Sequence, residues 1–236
     1  MSNVQAEPST PIHIKRLAYS PMMQFWKQWR KQKSAFIAGI FIMLLVVIAV
    51  FAPQIAPYDP YAPDYGNVLS GPSTDHWAGT DEYGRDILSR LLVGTRISLA
   101  VGLISIVAGG VLGTLLGLIS GYFGGKLDRL IMRGSDIMFA FPDILLAIAI
   151  VAILGPGLTN VVIALSVFSV PSFARLVRGS ALEAKQAEFV EAARSMGASN
   201  TRIIVKHILP SSIGGLLVYC SMRMGNAILA AATLSS

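Results

Sequence analysis

"ISLAVGLISIVAGGVLGTLLGLISGYF" (residues 97–123) contains no charged residue. A helix needs roughly 20 apolar residues to cross about 30 Å of hydrocarbon, and this run exceeds that. Within it Ser105, Gly109, Gly113, Gly117 and Gly121 recur at every fourth position, so a helix places all of them on one face. Lipid supplies little hydrophobic drive between helices, and small residues instead let two backbones approach closely. The stretch therefore reads as a membrane span. Gly109, Gly113, Gly117 and Gly121 form its packing ridge against another helix of this chain or of a partner.

Working outward, the same composition recurs. The chain has 236 residues, 53% hydrophobic and only 14% charged, with a mean hydropathy of +0.61; a soluble domain is about 25% charged. Everything after residue 33 is thus unsuited to a water-soluble globule. Further apolar segments are Ser34–Ala52, Gly134–Leu154 (interrupted by Asp136 and Asp143), Val161–Leu176 and Ser211–Ala232 (interrupted by Arg223). The expectation is an all-α polytopic membrane protein with five spans. Cys220 stands alone, which excludes an internal disulfide or a cysteine metal site. No His, Cys or acidic cluster has ligand spacing and no nucleophile–base pair is suggested. Neither an enzyme, a metal site nor a nucleic-acid partner is expected.

The asymmetry of Lys and Arg in short flanks sets orientation. With the N-terminus in the cytoplasm, the inside segments hold fifteen basic residues and the outside segments only Arg85, Arg90 and Arg96. Residues 1–33 then form a cytoplasmic tail, too long and polar for an ordinary cleavable signal peptide. Its "FWKQWRKQK" mixes Phe25, Trp26 and Trp29 with cations, as in a helix lying at the headgroup surface; the other reading is a solvated basic tail. Residues 53–96 form an outside loop. Its first half is rich in proline and tyrosine and will not be helical, whereas Asp81–Leu92 is expected to form a short helix. "GTDEYGRD" (79–86) reads as a turn pinned by local ion pairs. Residues 97–236 form the core, with a cytoplasmic loop at 178–210.

That loop contains "EAARSMGASNTRIIVKHILP" (191–210). Ser180–Glu183 has the spacing of a capping box, and helix formers continue to Ser195. Gly197 can take the left-handed conformation that ends a helix, Ser199 or Asn200 can cap a second helix at Thr201–Ile208, and Pro210 marks the start of the fifth span. Ala192, Ala193 and Gly197 leave a surface of little bulk between Glu191 and Arg194. Two readings stand side by side: a docking surface for a soluble protein, and an amphipathic helix resting on the membrane.

Two charges inside spans remain. Asp143 lies roughly 14 Å into the third span and Arg223 roughly 18 Å into the fifth, from the same side. Facing lipid, each would cost about 2.5–3.5 kcal/mol. Three readings are open: an ion pair between them, an acid placed by Pro142 at a positive helix end, and an arginine lining a pathway for anionic substrate.

The 191–210 block resembles the EAA loop of permease subunits of ATP-binding-cassette (ABC) importers. Glu191, Ala192, Ala193, Gly197, Leu209 and Pro210 match its register, with His207 where that family often has isoleucine. "GTDEYGRDILSRLLVGTRISLAVG" (79–102), "GYFGGKLDRLIMR" (121–133), "FPDILLAIAIVAILGPGLTN" (141–160) and "FARLVRG" (173–179) are similar to the second permease of dipeptide, oligopeptide, glutathione and nickel importers. "FSVPSFARLVRG" and "MRMGNAIL" look most like glutathione-importer permeases. The resemblance spans roughly residues 20–236.

It implies a type I importer transmembrane domain in a bacterial inner membrane, moving small peptides or glutathione. It also implies a second homologous permease, two cytoplasmic ATP-binding subunits docked on the loop, and an extracytoplasmic substrate-binding protein. Nickel import by the same family is the alternative. ATP would be bound by the partner subunits. In this chain "GYFGGKLD" is the nearest thing to a phosphate loop, and it has Ser120 and Leu127 where glycine and Ser/Thr are required. The chain stops at "AATLSS", whereas the family continues to a sixth span, so a truncated or partial product is expected. A self-sufficient secondary carrier would favour internal repeats or a chain of acids. No repeat is evident and the spans hold only two acids, Asp136 and Asp143.

Overall fold

The computed structural model describes residues 32–235, and the tail with its expected interfacial helix lies outside the described residues. The described chain is helical, with an isolated antiparallel bridge between Thr80 and Asp86. It falls into two compact units that divide between Leu45 and Val46. The first unit is represented by the opening half of α1 (Lys33–Ile55), a helix with no charge after Lys33. Pro53 lies in its last turns and has no N–H to continue the ladder.

In the second unit, α2 (Ile87–Phe123) is the central element. At 1.5 Å per residue it is about 55 Å long, far beyond the hydrocarbon thickness. Its first ten residues, with Arg90 and Arg96, belong to the expected outside loop. The separate short helix expected at 81–92 is not formed: the chain turns at 79–86 and then enters α2 without a break.

That turn is tightly built. Gly79 and Gly84 have φ of 76° and 75°, and a Cβ on Gly84 would fall 1.7 Å from the Asp64 carbonyl oxygen. Arg85 Nε donates to Asp81 at 2.8 Å, and Arg90 lies 3.4 Å from the same carboxylate. Asp86 caps α2, accepting from the Ser89 backbone N–H at 2.8 Å and the Ser89 hydroxyl at 2.7 Å. His76 Nδ1 stands 3.0 Å from its other oxygen, and the Tyr58 N–H donates to Ser89 Oγ at 3.1 Å.

Burial pushes the Asp86 carboxyl up, but the hydrogen bonds from Ser89 and His76 outweigh it and hold the group below its ordinary value. A depressed folded pKa stabilises above the unfolded value of about 3.9. That contribution is lost as pH falls through the folded value. Asp86→Ala is therefore expected to cost about 1–2 kcal/mol near neutral pH, seen as a lower thermal midpoint in detergent. The difference from wild type should begin to shrink below about pH 4 and vanish only once the pH falls below the folded value.

The third expected span, Gly134–Leu154, is corrected by the structure. Two helices stand in its place, α3 (Gly125–Phe139) and α4 (Asp143–Leu154), bent by 91°. Phe141 precedes Pro142, which disfavours α geometry there, and the Ala140 N–H turns back to Asp136 and Ile137 to close α3. α4 alone is about 18 Å long, short of a full crossing, and α3 carries charges along much of its length.

The fourth expected span also differs. α5 (Leu158–Lys185) runs nine residues past Leu176. Ser180–Glu183 therefore lies inside a helix and forms no capping box, and the loop expected from 178 begins after Lys185. α6 (Glu188–Ser195) and α7 (Asn200–Ile203) follow, then a π-helical turn at Ile204–Ile208 and α8 (Leu209–Ser235).

Pro210 does not break this run. A proline ring clashes with the carbonyl four residues back, here that of Lys206. The wide turn relieves the clash: the Leu209 N–H reaches back to Ile204 O, five residues away.

α2 and α5 form the closest pair. Gly109, Gly113, Gly117 and Gly121 lie against Ser166, Val170, Ala174 and Arg178, where an added Cβ would come within 2.5–2.9 Å of the α5 backbone oxygens. α8 closes over both helices through Ile106, Phe173 and Ala227, and through Val101, Leu165 and Ala231. Four described helices are long and apolar enough to cross a membrane, or five spans if the bent pair counts as one.

Candidate functional site

The segment from α6 to the π turn is rooted in the core by its own periodicity. Val190 and Ala193, three positions apart, point inward with Ile203 and Ile208, and pack with Leu118, Tyr122, Val177 and Ala181. Glu191, Ala192, Arg194 and Met196 face outward, Met196 being 82% exposed. Gly197 has φ of 79° and open space around its α-carbon, so the chain turns there at no steric cost. The Ser199 hydroxyl caps α7. Leu209 is half-buried against the same cluster and Pro210 is exposed. Of the matched residues, Ala193 is a root and Glu191, Ala192 and Gly197 are surface.

Polar ties fix this segment to α2 and α5. The Tyr122 hydroxyl meets Asn200 Oδ1 at 2.7 Å. Lys185 Nζ donates to the Tyr122 carbonyl at 2.6 Å and lies 5.6 Å from its ring. Two turns back along α5, Arg178 grips Asp128 with two N–H groups, one at 2.7 Å, and the Ser120 hydroxyl donates to the same carboxylate. Arg175 pairs with Asp136 at 2.6 Å and lies over the Phe139 ring at 4.4 Å. Sequence reading missed these ties. Apart from Ser120 and Asp128, eight residues apart, the hydrogen-bonded partners lie 39 to 78 residues apart, and no local spacing links them.

Arg223 lies near the middle of α8 and faces the middle of α5. Its guanidinium carbon sits 4.8 Å from the Phe168 ring and 5.9 Å from the Tyr219 ring. Nη2 donates to Ser172 Oγ at 3.1 Å. Asp143 opens α4 directly after Pro142, and its side chain lies outside the described ones. α4 packs chiefly on α5. The packing glycines are placed together by α2 as described above, and contact α5 rather than lipid.

Residues 113–236 match the family described as "Binding-protein-dependent transport system inner membrane component". Residues 20–72 match "N-terminal TM domain of oligopeptide transport permease C". The glutathione transport system permease protein GsiD of Pectobacterium atrosepticum is 50% identical over 227 residues, covering 95% of this chain and 75% of that protein. The proteins of the same name from Escherichia coli O6:K15:H31 and Shigella boydii serotype 4 are 52% identical over 218 residues, covering 92% of this chain and 72% of each relative.

Proposed function

The chain belongs to the family of inner-membrane components of binding-protein-dependent transport systems, and from that premise we propose that it carries glutathione or small peptides inward, driven by ATPase subunits docked on α6. It is a multi-pass permease of an ABC importer of the peptide and glutathione family, a family of transport proteins that work with other subunits. The glutathione assignment is supported by the names and identities of its relatives. A cytoplasmic N-terminus is supported by fifteen basic residues inside against three outside. The full assembly adds a second permease, two ATP-binding subunits that hold the nucleotide, and an extracytoplasmic binding protein.

The observation that carries the coupling role is the two-sidedness of α6. Its inner side is locked into the core by Val190 and Ala193. Its outer side exposes Glu191 and Ala192, with Gly197 just past its end and the apolar Phe189 and Met196 exposed beside them, so a partner can approach closely and a push there is passed to α2 and α5 through the buried root. The test is uptake and ATP hydrolysis by the reconstituted complex carrying Ala192→Trp or Gly197→Trp. Bulk on the docking side should lower uptake by about tenfold or more while the chain still inserts in the membrane. Wild-type uptake by both variants would overturn the coupling role.

A further inference from the structure

Arg223 stands near the centre of α8, within the apolar run 211–232, where an unpartnered charge is poorly tolerated in a bilayer, and it meets Ser172 of α5. The basic side chains of α5 have strong protein acceptors: Arg175 has Asp136, Arg178 has Asp128 and Lys185 has the Tyr122 carbonyl. Arg223 differs. Among the described side chains no carboxylate lies within 4.0 Å of it, and its recorded hydrogen bond goes to a neutral hydroxyl.

The face on which it sits is also distinct. At 100° per residue, Phe168 and Ser172 lie roughly opposite the side of α5 that meets the α2 glycines. Tyr219 and Arg223 are one turn apart on α8, and Asn226, three residues on, shares their face and is exposed. Together they make a strip of aromatic and polar side chains along α5 and α8, bordered by Tyr219, which also packs on Phe173 in the cluster with Ile106 of α2.

The strip is prepared for one kind of ligand. A guanidinium presents five N–H donors in a planar fork that matches a carboxylate with two parallel bonds. Ser172 engages one nitrogen, and the Phe168 and Tyr219 rings lie within cation–π reach of the guanidinium. We propose that Arg223, steadied by Ser172, Phe168 and Tyr219, is a carboxylate-binding station within the membrane-spanning region that receives a carboxylate of the transported peptide. The inference deepens the proposed function and rests on it.

The test is ATP-driven uptake by the whole complex in proteoliposomes, comparing glutathione with its glycine monoethyl ester and a peptide with its C-terminal amide. Arg223→Gln should lower uptake of the free acids by about tenfold or more and of the ester and amide by less than about twofold. Arg223→Lys keeps the charge without the fork and should fall between. Gel filtration of the assembled complex reports whether each variant folds; if Arg223→Gln fails to assemble, the same ratios are read from Arg223→Lys and Ser172→Ala, which should show the same bias at smaller size. Equal loss for acid and neutral forms, or no loss, overturns the station. So does recovery of uptake in Asp143→Asn/Arg223→Gln, which would make the arginine a structural partner of Asp143. If the wild-type complex moves none of these compounds, the functional reading itself fails and the station with it.

Discussion

Gly113→Leu is expected to remove most of the folded protein from the membrane. A Cβ at that position would sit 2.5 Å from Phe173 Cβ and 2.6 Å from the Val170 carbonyl oxygen. The first obstacle is a fully buried side chain and the second is helix backbone, so neither can step aside alone. Alanine already violates both distances. Overpacking in a well-filled site costs about 1–3 kcal/mol, and a longer side chain forces α2 and α5 apart along their whole contact. Adding Gly117→Leu repeats the insult one turn on, 2.6 Å from the Ala174 oxygen. Together they should consume a large part of a domain's stability of about 5–15 kcal/mol. Gly214→Ala and Gly215→Ala, with nothing within 4 Å of the added carbon, should be neutral or gain up to about 1 kcal/mol from helix propensity. Membrane-fraction yield and the thermal midpoint of detergent-solubilised protein check both halves. Normal yield for Gly113→Leu would mean that α2 and α5 do not meet as described.

Asp128→Ala should be the next most damaging change. Asp128 lies in the first turn of α3, where a carboxylate also complements the helix dipole. It binds Arg178 of α5 and Ser120 of α2 at once, so one side chain ties three helices. Breaking a buried pair costs about 3–5 kcal/mol. Here the side chains are 19% and 32% exposed, and water can solvate the orphaned guanidinium, so about 2 kcal/mol is expected. The double variant Asp128→Ala/Arg178→Ala should lose less than the sum of the single losses, because the orphaned charge is gone. Additive losses would show that the two side chains do not act as a pair. Because the same end of α5 carries Lys185 and its bond to Tyr122, the single variant should also weaken coupling between ATP hydrolysis and uptake.

Much of the architecture is visible in the residues, for reasons that can be named. Membrane spans announce themselves because hydrocarbon tolerates almost no charge, and α1, α2 and α8 carry few or none along their spans. The four-residue spacing of the α2 glycines shows a face, but not which helix covers it; that depends on Ser166, Val170 and Ala174 more than forty residues away. The bend at 140–142 is masked in the sequence by the apolar residues that flank it, although Pro142 and the charges of α3 mark it. The apolar run of α5 ends at Leu176, well before the helix does. In the structure Arg178 and Lys185 prolong it, since Asp128 and the Tyr122 carbonyl receive them. Within the candidate site, the block at 191–210 is legible because glycine, a capping serine and small residues each act locally. The Tyr122–Asn200 bond and the Arg223 cradle are tertiary, and no pattern along the chain encodes them.

The wide turn at Ile204–Ile208 has a geometric consequence further along the chain. An α-helix advances 100° per residue, and a turn closed by a bond to the fifth residue back holds one residue more than an ordinary turn. Everything beyond it is therefore out of phase with a plain helix begun at Asn200. Removing one residue from this turn would close it to an ordinary turn and leave the later side chains in place, whereas removing one between Leu209 and Tyr219 would move each later side chain into its predecessor's azimuth. Met224 would then stand beside Phe168 and Ser172 in place of Arg223. The turn works as a vernier between the cytoplasmic segment and the interior of the membrane. Beyond it, the number of residues between Leu209 and Tyr219 is as much a determinant of what lines the strip as the identity of the residues themselves.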